Sequence, residues 1–439
     1  MPTVPSSVRR ILLVTLLLLA LVRPGVAQTS AGQTPVVGAV PAGATDVRRE
    51  SFDIVWRTVK EKHFDPNFGG VDWDGVRRKY EPRLSKIQTD GDLYEMLGAM
   101  LSELHQSHFA IIPPEFVDAE ARESAAGNVG IDLRLIDGQA VITRVDADSA
   151  AARAGLRRGF IITRVNDLRA ADAIRQLGKA IERPAMARLY TERRLMGQVK
   201  GKPGTPVQLE YLDAQDRPHS ASLVREAQKG EMSPALGNFP AQYTEFEAKR
   251  LADNIGYIRF NIFVMPVMPR VRAAIREMRD APGLIIDLRG NPGGIGGMAI
   301  GIAGLVEAEQ NSLGTMKMRE GELKFAFFPQ PSAYTGKVVI LVDGESASTS
   351  EIFAGGLQEL GRATVIGERS LGAALPSIFQ RLPTGALFQY AIADFRTPKG
   401  VLIEGRGVIP NVEVKLTRDA LLAGRDAQLD AAVERILKQ

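Results

Sequence analysis

The chain contains no cysteine. That excludes disulfides, thiol nucleophiles, zinc–thiolate sites and a lipidated N-terminal cysteine, and it leaves the fold to be held by its core alone. Histidine is scarce too, four in 439 residues, so few side chains could serve as a base near neutral pH. A strong charge of either sign is also missing. Residues 1–27 hold three arginines and no acid, so the remainder carries 52 basic against 51 acidic side chains, and a nucleic-acid partner has no electrostatic support. No apolar run reaches the ~20 residues of a membrane-spanning helix. The run at 11–22 follows Arg9 and Arg10 and precedes Gly25-Val26-Ala27, the pattern of a secretory signal cut after Ala27. Export to the periplasm or the extracellular space is expected, with no stable membrane span after cleavage.

What is present divides the chain. At 439 residues and 45% hydrophobic content it can bury several cores. Residues 28–45, rich in Gly, Ala, Pro, Thr and Ser, read as a flexible tether. A helical domain is expected over 46–125, with Phe52, Val55, Trp56 and Val59 on one apolar face and Leu93, Leu97, Met100, Leu101 and Leu104 on another. Short strands at 130–135, 140–142 and 160–165 mark a second domain, 126–228, interrupted by a long charged helical pattern at 172–200. Over 229–439 strands and helices alternate: strands at 255–260 and 284–288, a helix at 268–278. The fold class is multidomain α+β.

Within the last domain, 337–369 reads as strand, helix, strand, the helix opening on Gly344 and the cluster Ser346, Ser348, Thr349, Ser350. Such a turn presents a hydroxyl at a helix N-terminus, where free N–H groups favour developing negative charge; the plainer reading is a cap. Two histidines stand three apart, His105 and His108. On one helix they would share a face, but the only nearby third ligand is Glu103, and Pro113-Pro114 marks a break, so no metal is assigned. The glycines of 294–299 fit a relaxed dinucleotide fingerprint only weakly, because Asn291-Pro292 stands where the phosphate turn would begin.

The segment GESASTSEIFAGGLQELGRATVIGER resembles the nucleophile segment of the C-terminal processing and tricorn-type serine peptidases. The resemblance implies Ser348 as nucleophile. L-x-E-L-x-x-S-H implies His108 as base with Ser107 before it, and FDIVWRTVKEKHFDPNFGGVDWDGVRRKY resembles the family's N-terminal helical segment, with Trp56, His63 and Trp73 as packing residues. VITRVDADSAAARAGLRRGFIITRVND resembles a PDZ domain, which implies a peptide-carboxylate cradle in the loop before Gly130-Ile131. D-L-R-G-N-P-G-G implies an oxyanion hole from Gly293 or Gly294 together with Thr349. The processing branch carries a lysine base where this chain has Ala373. VLIEGRGVIPNVEV resembles the tricorn pattern instead and implies Glu404 as the end of a Ser348, His108, Ser107, Glu404 relay, its rival being a surface carboxylate paired with Arg406. The implied protein is a serine endopeptidase acting on polypeptides without metal or cofactor, built of a helical, a PDZ-like and a crotonase-like α/β domain, its imidazole base titrating near 6 to 7 before any shift. Two alternatives are a catalytically silent ligand-binding relative and an inert scaffold.

Overall fold

The structure, a computed structural model, describes residues 42–114, 117, 127–228 and 230–438. The expected signal and most of the tether lie outside these residues. The end of the tether does not: 42–45 form the first turn of a helix, and residues 42–439 gather into one compact unit.

Among the described residues three main cores lie within that unit. The first is helical. α1 (Ala42–Lys62) buries Phe52, Val55 and Val59; α2 (Trp73–Tyr80) is started by the Asp72 carboxylate, which accepts from Gly75 N–H at 2.8 Å; α3 (Asp90–Ser102) is started by a Thr89/Asp92 capping box and buries Leu93, Leu97, Met100 and Leu101. Trp56 and Trp73 exchange indole N–H bonds to each other's carbonyls at 3.1 and 3.0 Å, which locks α1 to α2. This core is not closed by helices alone. Phe388 and Tyr390 complete it, because β1 (Ala110–Ile112) pairs antiparallel with the strand Leu387–Ala391. The segment just after His108 is thereby tied to the C-terminal part of the chain.

The second core lies under an antiparallel sheet of β2 (Ile131–Ile136), β3 (Gln139–Val145), β4 (Ile161–Val165), β5 (Pro206–Leu212) and β6 (Pro218–Val224), paired in that order. Alternation along β5, with Val207, Leu209 and Tyr211 buried and their neighbours exposed, matches a sheet with one wet face. The helical pattern at 172–200 forms two helices, α4 (Ala170–Ala180) and α5 (Pro184–Val199), and β2 is the edge strand beside α5.

The third core is the largest. β7 (Phe246–Arg250), β8 (Gly256–Phe260), β9 (Gly283–Asp287), β10 (Lys337–Val342), β11 (Ala363–Gly367) and β12 (Val412–Glu413) form one sheet in sequence order, β7 antiparallel and the rest parallel. Both faces are covered, so the central strands are continuously apolar. Leu284, Ile286, Val338 and Ile340 face α6 (Val267–Glu277), α7 (Gly296–Val306) and α8 (Thr349–Glu359); Ile285, Val339 and Leu341 face α9 (Ala427–Leu437). The register pairs Ile286 with Ile340 and Asp287 with Leu341, so β9 and β10 end side by side and the loops that follow them open together. Ligands bind at such carboxyl ends in open α/β sheets.

Candidate active site

Ser348 is the residue before α8 and has φ 54° and ψ −119°, left-handed backbone that a non-glycine residue avoids unless its surroundings impose it. Two bonds impose it here. Ser348 N–H lies 2.8 Å from the Ala373 carbonyl and 3.0 Å from Glu351 Oε2. The neighbouring hydroxyls are committed elsewhere: Ser346 donates to Leu288 O at 2.8 Å, Thr349 to Gly294 O at 2.7 Å and Ser350 to Asn291 O at 2.9 Å. Ser348 and Glu351 stand as the two halves of a capping box, but the Ser348 hydroxyl donates to no acceptor among the described residues and its side chain is partly exposed. Of the hydroxyl cluster, Ser348 is the member whose proton is left available for chemistry, so capping alone does not describe it.

The 288–294 loop is sewn to this turn. Asp343 Oδ1 accepts from Gly290 N–H at 2.9 Å, and Ala347 N–H donates to Asn291 O at 3.1 Å. Gly293 N–H is held by Asn291 Oδ1 at 2.9 Å, so of the two expected alternatives it is Gly294 whose N–H is unengaged. Among the described residues no hydrogen bond engages the Gly294 or Thr349 N–H. Gly293 has a different task. Its φ is 101°, and a Cβ there would stand 2.7 Å from Ser348 Cβ and 2.7 Å from Thr349 N. Gly293→Ala is therefore expected to displace Ser348 and lower hydrolysis by roughly 10²-fold or more while the protein stays folded, as steady-state kinetics beside a thermal melt would show.

Helix α3 ends at Ser102, and the chain then turns through His105 (φ 51°) and His108 (φ 60°), so the two histidines share no helix face and His105 is exposed. Buried His63 fixes this turn: its Nε2 meets Gln106 Oε1 at 2.9 Å, and its ring stacks on Phe109 at 5.5 Å. Ser107 Oγ then lies 2.7 Å from His108 Nδ1 and donates to Glu404 Oε2 at 2.8 Å, across 297 positions of sequence. Glu404 also accepts from Ser107 N–H at 2.9 Å and Ala374 N–H at 3.1 Å. Ser107 has one hydroxyl proton, directed to the carboxylate, so His108 Nδ1 must donate to Ser107, and Nε2 is left as the basic nitrogen. Burial pushes the His108 pKa down to about 4, below the 6 to 7 of an unshifted imidazole. The Glu404 side chain is 12% exposed and has Arg183 at 3.6 Å; Arg406 is exposed and is not its partner.

Ser348 and the relay meet at one peptide unit, where Ala373 O accepts from Ser348 N–H and Ala374 N–H donates to Glu404. Among the described residues no hydrogen bond joins Ser348 Oγ to His108, so the last link is open. Catalytic contacts commonly tighten only when substrate is bound. Two residues escaped the sequence reading. Glu351 had a signal, its place three residues after Ser348 as in a capping box; Arg183, which immediately precedes α5 and also donates to Gly372 O at 3.0 Å, had none.

The loop expected to hold a peptide carboxylate is internally bonded: Asn128 Oδ1 accepts from Val129 N–H at 2.7 Å and Gly130 N–H at 3.2 Å, while Ile131 begins β2 and pairs with Val145. On the outer edge of β2, Leu135 N–H donates to Glu192 of α5 at 2.6 Å, and Leu133 O accepts from Arg134 at 2.9 Å. Arg134 also reaches Asp343 at 3.1 Å and Glu345 at 3.0 Å in the Ser348 turn.

Residues 254–414 match peptidase family S41, and residues 45–102 match the tricorn protease C1 domain. A carboxyl-terminal-processing protease of Synechocystis sp. is 28% identical over 391 residues, covering 86% of this chain and 84% of that one. Tricorn protease homolog 1 of Streptomyces coelicolor is 28% identical over 403 residues, covering 88% of this chain but 34% of its own length. In fold the chain is similar to the photosystem II D1 C-terminal processing protease (TM-score 0.57, 22% identity, 87% of this chain and 98% of that one) and to mature CPAF complexed with lactacystin (TM-score 0.58, 12% identity, 89% and 98%). The chain belongs to the tricorn-like and carboxyl-terminal-processing family of serine peptidases and is a serine-type peptidase.

Proposed function

We propose that this peptidase is an exported endopeptidase that cleaves polypeptides through a Ser348, His108, Ser107, Glu404 relay. The observation that carries the reading is the bond of Ser107 to both His108 and Glu404, formed beside Ser348 from segments 297 residues apart. Ser348 Oγ attacks the scissile carbonyl while His108 Nε2 takes its proton; the imidazolium is steadied through Ser107 by the Glu404 carboxylate. Negative charge on the carbonyl oxygen is met by the N–H groups of Gly294 and Thr349, the latter at the positive end of α8. The proton on His108 then passes to the leaving amine, and water repeats the cycle on the acyl-enzyme. The 126–228 region acts as a PDZ-like recruiting domain, and strand addition to β2 requires displacing Glu192 from Leu135 N–H.

A fluorophosphonate probe tests the centre of this reading without knowledge of the substrate, because it needs only an activated hydroxyl and an oxyanion hole. The parent should be labelled at Ser348 and Ser348→Ala should not. Folded protein that takes up no label and cleaves no unfolded polypeptide would make it a silent binding relative instead.

A further inference from the structure

We propose that Glu351 is a positioning residue of this active site: its ionised carboxylate clamps the Ser348 backbone to the 370–374 segment and so fixes the nucleophile against the relay. The inference rests on the relay reading above. Glu351 stands in the first turn of α8 and is fully buried. Four groups meet its carboxylate: Ser370 Oγ at 2.5 Å and Gly372 N–H at 2.8 Å on Oε1, Ala373 N–H at 2.9 Å and Ser348 N–H at 3.0 Å on Oε2.

Every one of these groups donates. Three are backbone amides, and among the described residues the Ser370 hydroxyl, which accepts from Val408 N–H at 2.6 Å, has no acceptor for its own proton other than Glu351. A protonated Glu351 would either turn an O–H toward an amide and lose that bond or donate to Ser370 Oγ and leave the Ser370 proton without its acceptor. The clamped segment is the one that joins nucleophile and relay: Ala373 gives its carbonyl to Ser348 N–H and its amide to Glu351, and Ala374 gives its amide to Glu404. Two carboxylates thus grip adjacent residues, one facing the strained Ser348 and one facing Ser107 and His108.

Among the described residues no cation shares the work. Arg183, just before α5, reaches Gly372 O and Glu404; Arg188 pairs with Glu368; Arg369 bonds the Arg406 carbonyl. None of them touches Glu351. Burial accordingly raises its pKa to about 7 against the pull of its four donors. As pH falls through that value the acceptor is lost, so the rate should drop in a step near neutrality, separate from the step at about 4 where His108 gains a proton.

The test is the rate of fluorophosphonate labelling at Ser348 against pH, with thermal unfolding alongside, for the parent, Glu351→Gln, Ser370→Ala and His108→Ala. Glu351→Gln should be labelled about 10²-fold more slowly and show no step near neutrality. Ser370→Ala, which keeps the carboxyl but removes a donor, should move the step to higher pH. Glu351→Gln labelled at the parental rate, or slowed with the parental step intact, overturns the proposal; so does Ser370→Ala with an unmoved step, which decides the matter if Glu351→Gln does not fold. Labelling abolished by His108→Ala but indifferent to Glu351→Gln retires Glu351 and leaves the relay standing. A parent that takes no label overturns both.

Discussion

Replacing His108 by alanine is expected to lower peptide hydrolysis by roughly 10⁴-fold or more with the fold intact, because a serine hydroxyl near neutral pH is a poor nucleophile without a positioned base. His105→Ala is the matched control. Its side chain is exposed, and its loss should change the rate by no more than about twofold. The same assay with EDTA separates the remaining explanations: equal losses from both variants, with sensitivity to the chelator, would mean a metal pair, and equal losses without it would mean packing. The two residues differ in what their surroundings do for them. His108 has Nδ1 tied to Ser107 and a ring that burial keeps neutral, whereas His105 has no such partner in the relay.

Glu404→Gln should cost roughly 10²–10⁴-fold in kcat with KM nearly unchanged, since the carboxylate's charge matters most when the imidazolium forms. Geometry adds to the loss. Glu404 receives three donors, from Ser107 N–H, Ser107 Oγ and Ala374 N–H, and a glutamine amide can accept on one side only, so a donor is left facing NH₂. Ser107→Ala should act in the same direction and more mildly. The pH profile carries the sign. A base must be neutral to work, and His108 takes a proton only as pH falls toward about 4, so its limb lies well to the acid side of an ordinary histidine. The profile of kcat/KM for parent and variants would show it. A rate indifferent to His108 and rising only in the range of a lysine amine would refute the relay and call for an amine that reaches Ser348, such as the exposed Lys399.

Much of the fold was written in short-range patterns. The 337–369 stretch declared itself because a β-branched apolar run, a hydroxyl-rich turn and a helical apolar stripe follow one another, and β10, α8 and β11 fall within a residue or two of those signals. The helix start at Ala42 was missed, since 42–45 are small residues with neither cap nor apolar period. The site was legible to a different degree. Ser107 and Glu404 are 297 residues apart, a separation no local pattern records, and only the family resemblance suggested joining them. Which of Gly293 and Gly294 keeps a free N–H was beyond the sequence because both have the left-handed freedom of glycine; the Asn291 side chain holds that of Gly293. Glu351 could be read as half of a capping box, but its bonds to Ser370, Gly372 and Ala373 exist only once β11 has brought that loop across.

The outer edge of β2 bears on behaviour far from catalysis. An edge strand with unmet amides and carbonyls is a template for a foreign strand, and proteins at high local concentration associate through such edges. Here Leu135 N–H is bonded by Glu192 and Leu133 O by Arg134, so the chain's own side chains occupy the positions another copy would need. A peptidase, whose substrates are polypeptides able to add as strands, thereby keeps this edge from becoming a nucleus for aggregation.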